Sequence, residues 1–120
     1  MNVSSFILNV TSEQPDRLKQ FYAETVQLKP DLEIGDGAFK VGEGAHFIID
    51  GHSETMGPAK EPQRALINFW VDDVKAEREG LEAAGVTFIR KEGTEYWGGI
   101  ISTFLDPDGN YCQLMNMKMD

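Results

Sequence analysis

Hydrophobic and polar positions repeat one pattern twice along the chain. The first copy starts with a β-rich run at 4–10, continues as an amphipathic helix over 15–27, and ends in strand patterns at 31–34, 38–41 and 45–50. A stretch rich in Gly, Ser and Pro follows at 51–63 and predicts a linker or a loop. The second copy then predicts a strand at 65–71, a helix at 73–84, and strands at 86–90, 99–105 and 111–117.

The repeated order, strand–helix–strand–strand–strand, predicts an internally duplicated α+β domain. Val10 and Val71 end the first strand of each copy and lie 61 positions apart, whereas the last strands, Ala45–Asp50 and Tyr111–Asn116, lie 66 apart. The expected organisation is one domain over 1–120. It contains a βαβββ module at 3–50, a linker at 51–63 and a second βαβββ module at 64–117. Each helix would pack on the outer face of its sheet, and the inner faces would enclose a cleft.

Composition narrows the classes of partner. The chain has 120 residues, with 20 acidic and 11 basic side chains, so its net charge is −9. Such a surface repels phosphate backbones and anionic membranes, and it is compatible with a neutral or cationic ligand. The single cysteine, Cys112, cannot form an internal disulfide, and Met1–Val10 has no signal-peptide pattern. These features predict a cytoplasmic protein that binds neither nucleic acid nor membrane.

Three segments resemble the vicinal oxygen chelate superfamily, the group of glyoxalase I, bleomycin-resistance proteins and extradiol dioxygenases. They are FYAETVQL at 21–28, VDDVKAEREGLEAAGVTF at 71–88, and the stretch from EYWGG to ISTFLDPDGNYCQLMN at 95–116. The resemblance covers about residues 3–117. It implies paired βαβββ modules, a U-shaped mixed sheet around a cleft, and a homodimer.

Enzymes of this superfamily bind one divalent metal through His, Glu or Gln on the first and last strand of each module. Carried over strand by strand, those positions fall at Ser5, Ile49, Leu66 and Gln113. Residues 1–10 and 64–71 contain no His, Asp or Glu, so two of the four strands offer no strong ligand in any register. We therefore expect no metal and no other cofactor. If a metal binds, Gln113 and His46 are its expected ligands.

Strand alternation assigns other side chains to the cleft. The expected ligand-binding residues combine aromatic or apolar surface with neutral amides and a hydroxyl; they are Ser5, Asn9, Asn68, Trp70, Trp97, Tyr111, Gln113 and Met115. No catalytic residue is expected.

These residues favour a non-catalytic protein that binds a small molecule, similar to the bleomycin-resistance type. Its ligand would be an antibiotic or a flat cationic metabolite, stacked on Trp70 and Trp97 with Asp50 and Glu95 nearby. Two alternatives stay open. One is a metal-dependent lyase, isomerase or dioxygenase with an atypical site. The other is a structural or regulatory module whose cleft is filled by side chains.

Overall fold

The computed structural model describes residues 1–117, and residues 118–120 of the predicted domain lie outside this range. Two compact units make up the chain: the first is Met1–Gly57, and the second begins at Pro58. Each unit contains one four-stranded mixed sheet and one main helix in the order βαβββ. The predicted α+β class with two tandem modules is therefore confirmed.

The first unit contains strands β1 (Phe6–Ser12), β2 (Lys29–Pro30), β3 (Ala38–Lys40) and β4 (Ala45–Gly51). Helix α1 (Pro15–Gln20) continues directly into a π-helical turn, Phe21–Thr25. The strand order is β1-β4-β3-β2, with β1 parallel to β4 and the other pairs antiparallel.

Apolar alternation explains the core of the first unit. Phe47 and Ile49 alternate with half-buried residues on β4 and are themselves buried on the same face as Phe39 of β3. Leu18 and Tyr22 of the helical segment are fully buried, and the rings of Tyr22 and Phe47 lie 4.8 Å apart between centroids. Burial of these side chains holds the helical segment on one face of the sheet.

The second unit contains strands β5 (Ile67–Trp70), β6 (Phe88–Thr94), β7 (Gly99–Leu105) and β8 (Tyr111–Met117), with helix α2 (Val74–Ala83). A single 3₁₀ turn, Pro62–Arg64, precedes β5. The strand order is β5-β8-β7-β6, and β5 is parallel to β8.

Helix α2 begins and ends at the residues that the sequence favours. The Asp73 side chain accepts a hydrogen bond from the Ala76 amide at 3.0 Å and caps the N-terminus. Gly85 follows the helix with φ +93°, a conformation in which a Cβ would be strained, and the Val86 amide donates back to the Leu81 carbonyl. Buried Arg78 joins the helix to β6 through an ion pair with Glu92.

The DPDGN segment is a turn between β7 and β8, as the sequence predicts. Asp106 accepts hydrogen bonds from the amides of Asp108 and Asn110 through Oδ1, and Gly109 has φ +80°. The Asn110 amide group also donates to Oδ2 of Asp106 at 2.8 Å. Both carboxylate oxygens therefore serve the turn and set the start of β8.

The 51–63 segment is attached at both ends by hydrogen bonds. Thr55 shares a 2.7 Å hydroxyl hydrogen bond with Thr11, and the Gly57 amide donates to Glu13 at 2.8 Å. Ala59 instead donates its amide to the Asp108 carbonyl of the second unit. The unit boundary therefore falls inside the predicted linker.

Three predicted element bounds were wrong. The helix predicted to reach 27 ends earlier, because the Val26 amide bonds to the Phe21 carbonyl five residues back and Gln27 adopts φ +63°. The strand predicted at 31–34 is a turn, while the second strand is Lys29–Pro30. Pro30 fits there because β2 is an edge strand and needs no amide donor on its outer side. Strand β6 extends four residues beyond its predicted end, and register shifts interrupt its pairing with β7.

Candidate functional site

The second sheet has one face covered by α2 and one face without a helix. Ile67, Phe69 and Leu114 are buried on the α2 side, whereas Asn68 and the 60% exposed Trp70 point to the opposite side. We call this opposite side the helix-free face. Pairing and alternation place these residues on it: Asn68, Trp70, Arg90, Ile101, Thr103, Tyr111, Gln113 and Met115.

A polar row crosses the helix-free face from one sheet edge to the other. Arg90, Thr103, Gln113 and Asn68 are successive partners on β6, β7, β8 and β5. The Gln113 amide group donates to the Thr103 hydroxyl at 3.0 Å, so its orientation is determined by a neighbour in the row. The next row contains Ile101, Met115 and Trp70, which are apolar. Polar and apolar surface thus lie side by side, as in small-molecule sites.

Trp97 joins this face because residue 99 is glycine. A Cβ on Gly99 would overlap the six-membered ring of Trp97, so the indole lies directly over the glycine backbone. Gly99 shares its face with Ile101 by alternation along β7. The indole is 39% exposed. The predicted residues of the second module, including Trp97, are therefore brought together on one sheet face.

Arg90 occupies a similar position over a second glycine. A Cβ on Gly93 would overlap the guanidinium of Arg90, and Gly93 is the partner of Ile101. The Arg90 Nη1 donates to Glu95 at 2.5 Å. Arg90 and Thr103 were missed from the sequence. For Arg90 the reason is the irregular pairing of β6, which puts residues 90 and 93 on the same face despite their odd spacing.

Two predicted residues, Ser5 and Asn9, belong to the first unit. Asn9 is exposed on the face of the first sheet that lacks a helix, with Ile7, which is 53% exposed. Ser5 precedes β1, and its hydroxyl donates to the Gly44 carbonyl at 3.4 Å. Their grouping with the second-unit residues in one cleft stays a prediction.

His46 and Asp31 form a polar pair that the sequence did not predict. The His46 Nδ1 lies 2.7 Å from Oδ2 of Asp31, which is 1% exposed. Burial acts to raise the pKa of Asp31, but hydrogen bonds from His46 and from the Ile34 backbone, together with the charges of His46 and Lys40, outweigh it, so this pKa lies below its usual value. The turn after β2, which carries Asp31, was predicted as a strand, and this hid the pair.

The register of the strands corrects one position carried over for a metal. In the parallel pair β5–β8, Ile67 lies opposite Cys112, so Leu66 lies level with Tyr111. Gln113 is therefore two residues further along β8 than the residue level with Leu66. In the first unit, Phe6 lies opposite Ala45, so Ser5 lies level with Gly44. The residue of β4 that corresponds to Gln113, two residues further along, is His46. Ile49 was the wrong choice, because it is buried on the α1 side of its sheet.

With His46 in place of Ile49, the four positions do not fit a metal ion well. They hold the Ser5 hydroxyl, the Leu66 alkyl chain, the Gln113 amide and His46, whose Nδ1 is engaged by Asp31. Among residues 1–117, no group of three or more His, Cys, Asp and Glu side chains is arranged to hold a metal. Nor does any helix in that range have the length and apolarity to span a membrane.

With this geometry, the chain can be compared with known proteins. The model of the Glyoxalase/Bleomycin resistance protein/Dioxygenase superfamily matches residues 6–114. The chain therefore belongs to this superfamily.

Solved structures share the fold at low sequence identity. A superfamily member from Sphaerobacter thermophilus is 20% identical with a TM-score of 0.71, covering 96% of this chain and 98% of its own. A glyoxalase/dioxygenase from Nostoc punctiforme is 13% identical with a TM-score of 0.73, and the coverages are 94% and 90%. A glyoxalase/bleomycin resistance protein from Streptomyces sp. CB03234 is 24% identical with a TM-score of 0.67, and the coverages are 94% and 100%.

Proposed function

We propose that this chain is a small-molecule-binding protein that holds a flat ligand on the helix-free face without transforming it. The observation that carries the proposal is the adjacency of the polar row to the apolar row with Trp70 and Trp97. Apolar and aromatic area supplies affinity, and a few oriented polar groups select the ligand. The Gln113–Thr103 hydrogen bond supports this role because it orients an amide toward one side.

That the chain does not catalyse a metal-dependent reaction is proposed from the residues at the family metal positions. Ser5 is a weak ligand and Leu66 is none, so the set lacks the three or more strong donors of a typical catalytic site. A homodimer and a cytoplasmic location stay predictions from the sequence.

The net charge of the chain and the local charge of the helix-free face bear differently on the charge of the ligand. The net charge of −9 favours a flat cation, such as a cationic metabolite or antibiotic that stacks on the exposed Trp70. However, the Glu95 carboxylate expected to attract it is already paired with Arg90. The local charge of the face therefore favours a cation less than the composition does.

A second candidate function is acid–base catalysis, and the His46–Asp31 pair favours it. A carboxylate that accepts from Nδ1 leaves Nε2 as the basic nitrogen of a neutral imidazole.

Metal analysis and ligand titration test the proposal. The purified protein is assayed for zinc, nickel and iron, and its Trp fluorescence is titrated with bleomycin and with uncharged, cationic and anionic naphthalene derivatives. Saturable quenching without chemical change of the ligand supports the proposal. Turnover of a ligand would overturn it in favour of an enzyme, and stoichiometric metal would then identify that enzyme as metal-dependent. Absence of quenching by every probe would favour a face filled by its own side chains.

A further inference from the structure

The guanidinium of Arg90 is the one strong cation that strands β5–β8 present on the helix-free face, within the described part of the chain. These strands carry two basic residues, Arg90 and Lys91. Lys91 pairs at 3.5 Å with Glu82 of α2, so it lies on the helix side. Arg90 on β6 is instead the register partner of Thr103 on the adjacent strand β7, which belongs to the polar row. Although Arg90 is paired with Glu95, it is the cationic donor that a ligand on this otherwise neutral face would meet.

Two features hold the Arg90 guanidinium in place. Gly93 provides the space that it occupies, since any side chain at that position would overlap it. Glu95 accepts from Nη1 and is the side-chain partner of the guanidinium within residues 1–117. A guanidinium has five N–H donors, so four remain after this contact. Glu95 thus orients the group while most of its donors stay available.

The surroundings of Gly93 specify the shape of the ligand. One strand away, about 5 Å, lies Ile101, followed by Met115 and then Trp70 in the same row. Trp97 covers Gly99, two residues from Ile101 along β7 and about 7 Å away. Ile101 is itself buried, so the accessible apolar surface of this row is that of Met115 and Trp70. A planar ring lying there would extend an attached acidic group across Ile101 toward the guanidinium and would meet the Trp97 indole with its own edge or face.

We propose that Arg90 binds the carboxylate of a flat aromatic acid whose ring lies on Met115 and Trp70 beside Trp97. A carboxylate matches the planar fork of donors, which a point charge such as an ammonium does not. The inference rests on the proposed function, because it requires that the helix-free face binds a ligand. It replaces the cationic ligand that the net charge suggested.

The test compares three naphthalene probes that differ in charge: 2-naphthoate, 2-naphthamide and 2-naphthylmethylammonium. Affinity is measured by quenching of Trp fluorescence and by calorimetry at low and moderate salt. The intact chain should bind the naphthoate at least fivefold more tightly than the amide, and the ammonium most weakly. This order should weaken as salt rises.

Three variants test separately the charge of the Arg90 side chain, its forked set of donors and its position. Arg90→Gln should abolish the preference for the naphthoate, and Arg90→Lys should restore only part of it because the fork is lost. Gly93→Ala leaves Arg90 in the chain but displaces its guanidinium, and it should reduce the preference severalfold. The matched control is Arg64→Gln, an exposed arginine of the same unit that is paired with Glu61. It should leave every affinity unchanged.

The outcomes distinguish the two proposals. Binding of all three probes with equal affinity, or a naphthoate preference that survives Arg90→Gln in a folded protein, would overturn the role of Arg90 and leave the binding function standing. Failure of every probe to bind the intact chain would overturn both. Circular dichroism and thermal melting of each variant confirm that a lost preference reflects binding and not unfolding.

Discussion

The Nδ1 of His46 lies 2.7 Å from Oδ2 of Asp31, and Asp31 is almost completely buried. The two residues are on different elements, since His46 is on β4 and Asp31 follows the edge strand β2. The pair therefore joins the outer edge of the first sheet to its interior. The other carboxylate oxygen, Oδ1, has no hydrogen-bond partner within residues 1–117, and the ionised form is stabilised by His46 together with a backbone hydrogen bond from Ile34.

The first prediction is an acid-labile contribution of Asp31 to stability. Its pKa is lower in the folded than in the unfolded chain, so the folded state binds fewer protons between the two values. The contribution is thus complete above the ordinary aspartate pKa of about 3.9 and is lost as pH falls through the lowered folded value. Urea unfolding followed from pH 7 to pH 2.5 should show this loss, and Asp31→Asn should reduce it.

The matched control for this prediction is Asp36→Asn. Asp36 lies in the same turn region, but it is 88% exposed in its ion pair with Lys19. Exposed pairs contribute about 0–1 kcal/mol, so this variant should keep most of the acid dependence. An identical stability profile for Asp31→Asn and the original chain would contradict the structural role of the His46 contact.

The second prediction concerns Trp70. Its side chain is largely exposed, so Trp70→Ala should leave thermal stability nearly unchanged. Loss of stacking, which contributes about 0.5–1.5 kcal/mol, together with the lost apolar area should weaken binding of a flat ligand tenfold or more. Calorimetric titration with bleomycin or 2-naphthoate measures the change, and unaltered affinity in the folded variant would remove Trp70 from the binding surface.

Strand alternation was the part of the site that could be read from the sequence. It correctly grouped Asn68 with Trp70 and Gln113 with Met115, because side chains of a strand alternate strictly between two faces. The predicted alignment of the two modules with each other was less accurate. Ile7 lies opposite His46 and Asn68 lies opposite Gln113, so the paired residues are 39 and 45 positions apart and the modules differ by six residues, not five.

This error of one residue has a clear physical effect. Shifting a strand by one position exchanges its two faces, and this is how a carried-over metal position fell on the buried Ile49 while its neighbours on β4 face the other side. Turn lengths determine the register, and turns rich in Gly and Asp do not reveal their length in an amphipathic pattern. Likewise, the positions of Trp97 and Arg90 depend on space above Gly99 and Gly93, which only three-dimensional packing shows.

The third prediction uses Gly99 to move Trp97 without removing it. The backbone of Gly99 does not require glycine, since its φ is outside the left-handed region, but a methyl group there would overlap the indole. Gly99→Ala should therefore displace the ring, shift its fluorescence, and weaken binding of a flat ligand about threefold to tenfold, the range expected for one stacked aromatic.

A helix glycine provides the comparison for Gly99→Ala. A Cβ on Gly80 of α2 would meet no atom within 4 Å. Gly80→Ala should raise the free energy of unfolding by about 0.5–1 kcal/mol, because alanine is the better helix former, and it should leave fluorescence and binding unaltered. If both variants changed the emission spectrum equally, the position of Trp97 over Gly99 would be wrong.

The last prediction links binding to stability through Cys112. This thiol is fully buried on the α2 side of β8, next to Gln113 of the helix-free face. Labelling of the native chain by a thiol reagent should therefore require opening of the second unit, whereas the unfolded chain should react at once. A ligand that binds only the folded unit, present at about 100 times its Kd, should slow labelling about 100-fold by mass action when reclosing is faster than labelling. In the Trp70→Ala variant, the same ligand concentration should protect Cys112 about tenfold less. Equal protection in both proteins would show that the ligand binds elsewhere, because only occupancy of the helix-free face makes the protection depend on Trp70.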